Sequence, residues 1–275
     1  MINQVIQGDC LEVMKDIPNG SIDMILCDLP YGTTACKWDT VIHFEPLWGQ
    51  YKRIIKDNGA IVLTASQPFT SALVMSNPDM FKYSWIYKKR CASNFAQAKY
   101  APMKEHEDVL VFAKGKVNYY PIKEERQGSG KERAKYSYSD KSRHASGDFV
   151  GNIKGDYGVC ENCDGRGDTN IGANVCFVCN GTGKKDAGND EMRYPSSVQE
   201  FNNRASGDRG FHPTQKPVAL FEYLIKTYTN KGDLVLDNCA GSGTTGVACK
   251  NLNRNYILIE KEAEYVEIIK KRLSI

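Results

Sequence analysis

The residues Asp28-Leu29-Pro30-Tyr31 close an apolar run and bring together a carboxylate, a backbone carbonyl, a rigid turn and an aromatic ring. Such a set suits capture of a planar amine, with the acid and carbonyl accepting N–H bonds while the ring stacks. Taken alone, the same residues also make an ordinary turn. A second set, Asp237-Asn238-Cys239-Ala240-Gly241-Ser242-Gly243-Thr244-Thr245-Gly246, follows the apolar run Leu234-Val235-Leu236 and leads into a helical start at Val247-Ala248-Cys249. Gly241 and Gly243 permit a sharp turn and close approach to a ligand, and the helix N-terminus offers N–H groups to an anion. Glu260 ends the next apolar run, where an acid accepts hydrogen bonds from ribose hydroxyls. This is the chemistry of a nucleoside-cofactor site. Gly241, Gly243 and Gly246 also satisfy G-x-G-x-x-G, so a nicotinamide-dependent oxidoreductase is a rival reading. Only 15 residues follow Glu260, too few to finish a dinucleotide-binding sheet, so an N-terminal piece has to complete it.

A third set is metal-like. Cys160-Glu161-Asn162-Cys163 and Cys176-Phe177-Val178-Cys179 give two C-x-x-C pairs with twelve residues between them. Four thiolates at this spacing can close a tetrahedral Zn²⁺ site, and Gly165, Gly167, Gly181 and Gly183 relieve crowding around it. The surrounding stretch has few aliphatic residues, so a structural ion that supplies folding energy fits better than redox chemistry. The remaining cysteines Cys27, Cys36, Cys91, Cys239 and Cys249 read as small core residues, and His43, His106 and His144 lack partners at ligand spacing.

The elements that must position these sets fall into three stretches. Residues 1–114 carry apolar runs of strand length at Ile22–Cys27, Ala60–Thr64 and Val109–Phe112. Runs of this kind suit strands covered on both faces. Residues 115–210 turn to Gly, Ser, Asn, Lys and Asp and read as an insert that contains the cysteine cluster. Residues 211–275 return to α/β character, with helices expected at Val218–Tyr228 and Ala263–Leu273 and strands at Leu234–Leu236 and Tyr256–Ile259. The expectation is one discontinuous α/β domain, 1–114 with 211–275, interrupted by the insert. Its 275 residues, 41% hydrophobic and 25% charged, are those of a globular chain, and no run approaches the roughly eighteen apolar residues of a membrane span. Ten cysteines, four of them clustered, fit a reducing cytoplasm better than a disulfide scaffold. A net charge of +3 is too small to prove a polyanionic partner.

The first two sets together resemble the amino-methylating DNA methyltransferases, whose catalytic signature is Asp-Pro-Pro-Tyr and whose cofactor signature is Asp-Pro-Phe-x-Gly-Ser-Gly-Thr-Thr. His212-Pro213-Thr214-Gln215-Lys216-Pro217 and Gly8-Asp9-Cys10 are similar to further blocks of that family. The order, catalytic motif before cofactor loop, resembles the β class, and the resemblance covers residues 1–114 and 211–275. Leu29 departs from the first proline of the catalytic signature, and Asn238-Cys239 from Pro-Phe of the cofactor signature.

The resemblance implies a Rossmann-like methyltransferase fold and transfer of a methyl group from S-adenosylmethionine to the exocyclic N6 of a flipped adenine in double-stranded DNA. Cytosine N4 is the alternative acceptor, since aspartate rather than serine at position 28 is a tendency and not a rule. It implies that Asp28, Leu29, Pro30 and Tyr31 carry the chemistry, with Asp28 also among the cofactor-binding residues, and that Asp237, Cys239 and Gly241 to Thr244 surround the methionine part. Glu260 would then bind the ribose, and Asp9 with the Cys10 backbone would meet the adenine ring. Lys216 is implied as a partner of the cofactor carboxylate. A homodimer and a cognate restriction endonuclease stay open as partners, and a membrane does not.

For the DNA surface, Phe81–Lys104 holds six basic residues and no acid, with Lys88, Lys89 and Arg90 expected to lead into a loop that meets phosphates. Lys123–Arg143 adds seven basic and four acidic residues with Tyr136 and Tyr138 between them, a composition suited to ordering on DNA. Each C-x-x-C-x-G-x-G half also looks like the cysteine-rich repeat of J-protein co-chaperones, a likeness that carries over the metal and not the activity. A non-catalytic zinc module is the remaining rival.

Overall fold

The computed structural model describes residues 2–33, 36, 39–125, 192–203, 211 and 215–274. Its strands are β1 (Gln4–Gln7), β2 (Ile22–Asp28), β3 (Ile55–Ala65), β4 (Phe81–Ser93), β5 (Lys104–Phe112), β6 (Glu124–Glu125), β7 (Met192–Arg193), β8 (Val198–Phe201), β9 (Leu234–Asp237) and β10 (Asn255–Glu260). The helices are α1 (Cys10–Val13), α2 (Phe44–Ile54), α3 (Phe69–Ser76), α4 (Val218–Tyr228), α5 (Thr244–Asn251) and α6 (Ala263–Leu273).

The chain forms two compact units, residues 1–120 with 196–275, and residues 121–195. The first unit is one eight-stranded sheet of order β1-β10-β9-β2-β3-β5-β4-β8. β1, β10, β9, β2 and β3 run parallel, β5 is antiparallel to both β3 and β4, and β8 lies parallel to β4 at the edge. Within the second unit, β6 and β7 pair antiparallel, and Arg193 meets Glu124 at 3.1 Å. The edge strand β8 comes from within the stretch whose composition reads as insert.

Alternation along the central strands feeds two cores. Ile25 and Cys27 of β2, Ile61 and Leu63 of β3, and Ile257 and Ile259 of β10 pack with Leu47, Trp48 and Tyr51 of α2 and Phe69 and Leu73 of α3. Met24, Leu26, Val62, Val235 and Leu258 face the other way, toward Leu220, Phe221 and Leu224 of α4, Ala248 and Cys249 of α5, and Ile269 of α6. Burial on both faces explains the nearly continuous apolar runs of the parallel strands. α2 forms where Leu47, Trp48, Tyr51 and Ile54 share one buried face, and α4 begins after Pro217, whose ring pre-sets a helical entry.

The helices expected at 218–228 and 263–273 have those bounds. α5 starts at Thr244, three residues before the expected helical start, because Gly243 in the left-handed region (φ 80°) turns the chain into the helix directly. β4 continues to Ser93, which places Lys88, Lys89 and Arg90 on a strand and corrects the loop expected there.

Candidate active site

The parallel strands end at one edge. There β9 leads to α5 and on to β10 on one side of β2, while β2 leads to α2 and β3 on the other. Such a reversal point is where open α/β sheets open a crevice for ligands. A cavity of about 430 Å³ lies at this edge, lined by Asp9, Cys10, Asp28, Leu29, Pro30, Tyr31, Lys216, Asp237, Cys239, Gly241, Thr244 and Glu260. Adjacency of β2 and β9, through Met24↔Val235 and Ile25↔Leu236, brings the Asp28 and Gly241 segments together despite their separation in the chain. Gly243 is not among the lining residues. It caps α5, and a Cβ there would stand 3.0 Å from Ile269.

Asp28 ends β2 next to Thr64 of β3, its register partner. Its Oδ1 accepts from the Thr64 hydroxyl and lies 2.8 Å from the Tyr31 hydroxyl, and its Oδ2 accepts from Lys216 Nζ at 2.6 Å. The Tyr31 ring stacks on Phe69 at 5.2 Å, with Lys216 Nζ 5.6 Å from its centroid. Burial pushes the Tyr31 hydroxyl well above the usual tyrosine range, so it stays a neutral donor. The turn after Asp28 is tied down by Asp39, whose carboxylate accepts from the Gly32 and Thr33 N–H groups at 2.8 and 2.9 Å. Rigidity that a proline at position 29 would supply comes from this clamp, while Leu29 enters the core instead.

Lys216 is 8% exposed and bridges two acids, Asp28 at 2.6 Å and Glu107 of β5 at 3.2 Å. Burial opposes its charge, yet the two carboxylates hold its pKa well above the ordinary lysine value. Burial likewise opposes the charge of Glu107, but Lys216 and Lys89 hold that carboxyl down to about 2. Lys216 is therefore not a solvated surface lysine.

On the cofactor side, Asp237 accepts from the Thr245 hydroxyl and, at 3.1 Å, from the Cys239 N–H. Burial pushes its carboxyl up to about 7, against those hydrogen bonds. The Glu260 carboxylate accepts from the Gly241 N–H at 2.7 Å and the Glu262 N–H at 2.9 Å, and burial raises its pKa. Asp9 caps α1 by accepting from the Leu11 N–H at 3.0 Å. Cys10 and Cys239 line the cavity half-buried, as Cys36 and Cys91 are elsewhere. The small-core reading thus holds fully for Cys27 and Cys249 and in part for Cys239, which packs against the first core while lining the cavity.

The expected phosphate contacts separate. Lys89 turns inward to Glu107 at 2.6 Å, Lys88 pairs with Glu200 of β8 at 2.9 Å, and Arg90 is exposed. Alternation along β4 causes this split, since Tyr87 and Lys89 share the inward face. Cys160, Cys163, Cys176, Cys179, His144, His212, Pro213, Thr214 and most of Lys123–Arg143 lie outside the described residues. Among the described residues no group of three or more His, Cys, Asp or Glu side chains could hold a metal, and no helix is long and apolar enough to cross a membrane.

Sequence reasoning missed Thr64, Asp39, Glu107 and His43, the last also lining the cavity. Thr64 carried a signal, as a hydroxyl at the end of an apolar run; Asp39 and Glu107 carried none, because loop closure and strand register supply their partners, and His43 is placed by the start of α2 alone.

An α/β sheet with a reversal point, and acids at the ends of β2, β9 and β10 around one cavity, define a nucleotide-cofactor enzyme of methyltransferase architecture. The fold is similar to that of a solved complex of M1.HpyAVI with SAM, at TM-score 0.61 and 22% identity, in a match that covers 99% of each chain. Residues 22–271 match the N6_N4_Mtase model, DNA methylase, and the chain belongs to that family. The Type II methyltransferase M.HpaI of Haemophilus parainfluenzae is 28% identical over all of this chain and 75% of its own length. The DNA adenine methyltransferase YhdJ of Escherichia coli K12 is 26% identical over 98% of this chain and 82% of its own.

Proposed function

We propose that this chain, a DNA methyltransferase by family, methylates the exocyclic N6 of an adenine flipped out of duplex DNA, using S-adenosylmethionine. The observation that carries the reading is the convergence of Asp28, Asp237 and Glu260 from adjacent strand ends on one cavity. The residues present fit the cofactor: buried acids at two strand ends, a glycine turn whose helix begins at Thr244, and unfilled space of about 430 Å³. Asp237, Cys239 and the loop from Gly241 to Thr244 would hold its methionine part, Glu260 its ribose, and Asp9 with Cys10 its adenine. Bound there, the cofactor supplies a methyl group already activated by a sulfonium.

The chain's own residues do the rest. An exocyclic amine is a poor nucleophile because its lone pair is delocalised into the ring. The Asp28 carboxylate and the Leu29 carbonyl accept its two N–H bonds, which localises that lone pair and stabilises the positive charge that develops. Thr64 and Tyr31 fix the carboxylate beforehand, so orientation costs little at the moment of reaction. The Tyr31 ring, backed by Phe69, is suited to stack on the base, an interaction of roughly 1 to 3 kcal/mol. Pro30 keeps the turn short.

The likeness to an adenine methyltransferase across most of the chain supports N6 over cytosine N4. Exposed Arg90, with Lys88 beside it, is suited to phosphate contact, and Lys89 is suited to the site instead. Two C-x-x-C pairs twelve residues apart support a structural Zn²⁺ held by Cys160, Cys163, Cys176 and Cys179 in a target-recognition segment. Likeness to Type II methyltransferases supports pairing with an endonuclease that reads the same site.

The test is nucleoside mass spectrometry of DNA from cells expressing the protein. N6-methyladenine at one recurring site is the expected result. N4-methylcytosine would move the reading to the alternative, and unmodified DNA would overturn both.

A further inference from the structure

Lys216 does more than neutralise a neighbour. Enclosure this deep keeps an ammonium charged only where anions face it, and four side chains form a row of alternating sign: Lys89, Glu107, Lys216 and Asp28. The links are 2.6, 3.2 and 2.6 Å in that order. The row runs from the β4–β5 pair to the end of β2.

Its last link puts a nitrogen where an acceptor amine belongs. The proposed chemistry asks an amine to donate to Asp28 beside the Tyr31 ring, and Lys216 Nζ already donates to Oδ2 and lies 5.6 Å from that ring's centroid. Asp28 Oδ1 is engaged by Thr64 and Tyr31, so Oδ2 is the oxygen an incoming base meets. Next to Lys216 stands a second acceptor: buried Glu107 Oε2 is 3.2 Å from Nζ, a longer and less well aligned contact than the 2.6 Å bond to Asp28.

Resting on the methyl-transfer reading, we infer that Lys216 holds the acceptor-amine position in the free protein, and that Glu107 is the positioning residue that receives its ammonium when a base enters. The move exchanges one acceptor for another. No covalent bond changes, the proton stays on Nζ, and the 3.2 Å contact with Glu107 tightens into a short hydrogen bond. While protonated, Nζ has no lone pair, so it cannot take the methyl group itself.

The experiment is steady-state methylation of duplex DNA by wild type, Glu107→Gln, Lys216→Met and the double variant, with melting temperatures alongside. Glu107→Gln strands the ammonium on Asp28. Its kcat/KM for DNA should fall roughly 10- to 100-fold while KM for S-adenosylmethionine is unchanged. Once Lys216 is gone there is nothing to receive, so the double variant should be no slower than Lys216→Met. If Glu107→Gln melts far below wild type, Glu107→Asp keeps the charge but draws it back by one methylene. It should fold and lose kcat/KM for DNA in the same direction. Wild-type kinetics in the position-107 variant, or losses that multiply in the double variant, overturn the inference and leave methyl transfer standing. A wild type inert toward all DNA overturns both.

Discussion

The Tyr51 hydroxyl donates to Asn238 Oδ1 over 2.6 Å, joining α2 to the cofactor loop across 187 positions of sequence. Both groups are buried, and Asn238 stands where the family signature has proline. The amide replaces a stiff ring with a long-range hydrogen bond as the means of fixing the loop. Tyr51→Phe would leave Oδ1 buried without its donor, at a cost of about 1 to 3 kcal/mol. Chemical denaturation should register that loss, and an unchanged midpoint would show that the bond adds nothing.

Asp28→Ala should lower kcat by about 10²- to 10³-fold or more and leave S-adenosylmethionine affinity nearly intact. The carboxylate touches Thr64, Tyr31 and Lys216, and the cofactor-side hydrogen bonds at Asp237 and Glu260 are separate from it. Calorimetric titration beside the methylation assay separates the two effects. Parallel loss of both would contradict the assignment.

Asp237 gives a pH dependence of definite sign. Burial pushes its carboxyl up to about 7, above its value in the unfolded chain. The folded state therefore binds the proton more tightly, and this contribution to stability is complete below about pH 4 and lost as pH rises through about 7. Asp237→Asn should flatten the fall in melting temperature across that window. If the cofactor's ammonium settles beside this carboxyl, binding at pH 6 or so should also release a proton, readable as buffer-dependent binding enthalpy.

Two glycines should respond in opposite directions. At Gly243 φ is 80°, and a Cβ would stand 3.0 Å from two carbons of buried Ile269. Gly243→Ala should cost about 1 to 3 kcal/mol through backbone strain and overpacking. At Gly49, inside α2, a Cβ would meet nothing within 4 Å. Gly49→Ala should stabilise by about 0.5 to 1 kcal/mol, since only unfolded-chain freedom is lost. Melting curves of the pair check both signs.

The cysteine pairs predict one zinc per chain after purification without chelator. Cys160→Ser or Cys179→Ser should remove the metal, and stripping it should expose the unit of residues 121–195 to protease. Well under one equivalent of zinc in the intact protein would refute the site.

What could be read from the chain before its fold was known was local. Asp28, Asp237, Glu260 and the glycine turn announce themselves because each sits at the end of an apolar run, where the strand period itself delivers a side chain to the sheet edge. Asp39 and Glu107 were silent because loop closure and strand register give them their partners, and Thr64 showed only its place at the end of an apolar run. Lys89 misled for the same reason. Three successive basic residues look like one patch, but on a strand neighbours face opposite ways, so Lys89 serves the interior while Lys88 and Arg90 do not. Lys216 was visible only as a member of a block; its two acids come from β2 and β5.

The strand order has a consequence for the newly made chain. β9 and β10 stand between β1 and β2, so the earliest strand finds its only described neighbour in one of the last. A nascent polypeptide halted before residue 234 has Asp28 but lacks the floor beside it, and its first core is missing Leu236, Ile257 and Ile259. Pairings of such long range form slowly. Until β9 and β10 are in place the sheet edge beside Asp28 is bare, so the residues before 234 cannot assemble the cavity by themselves.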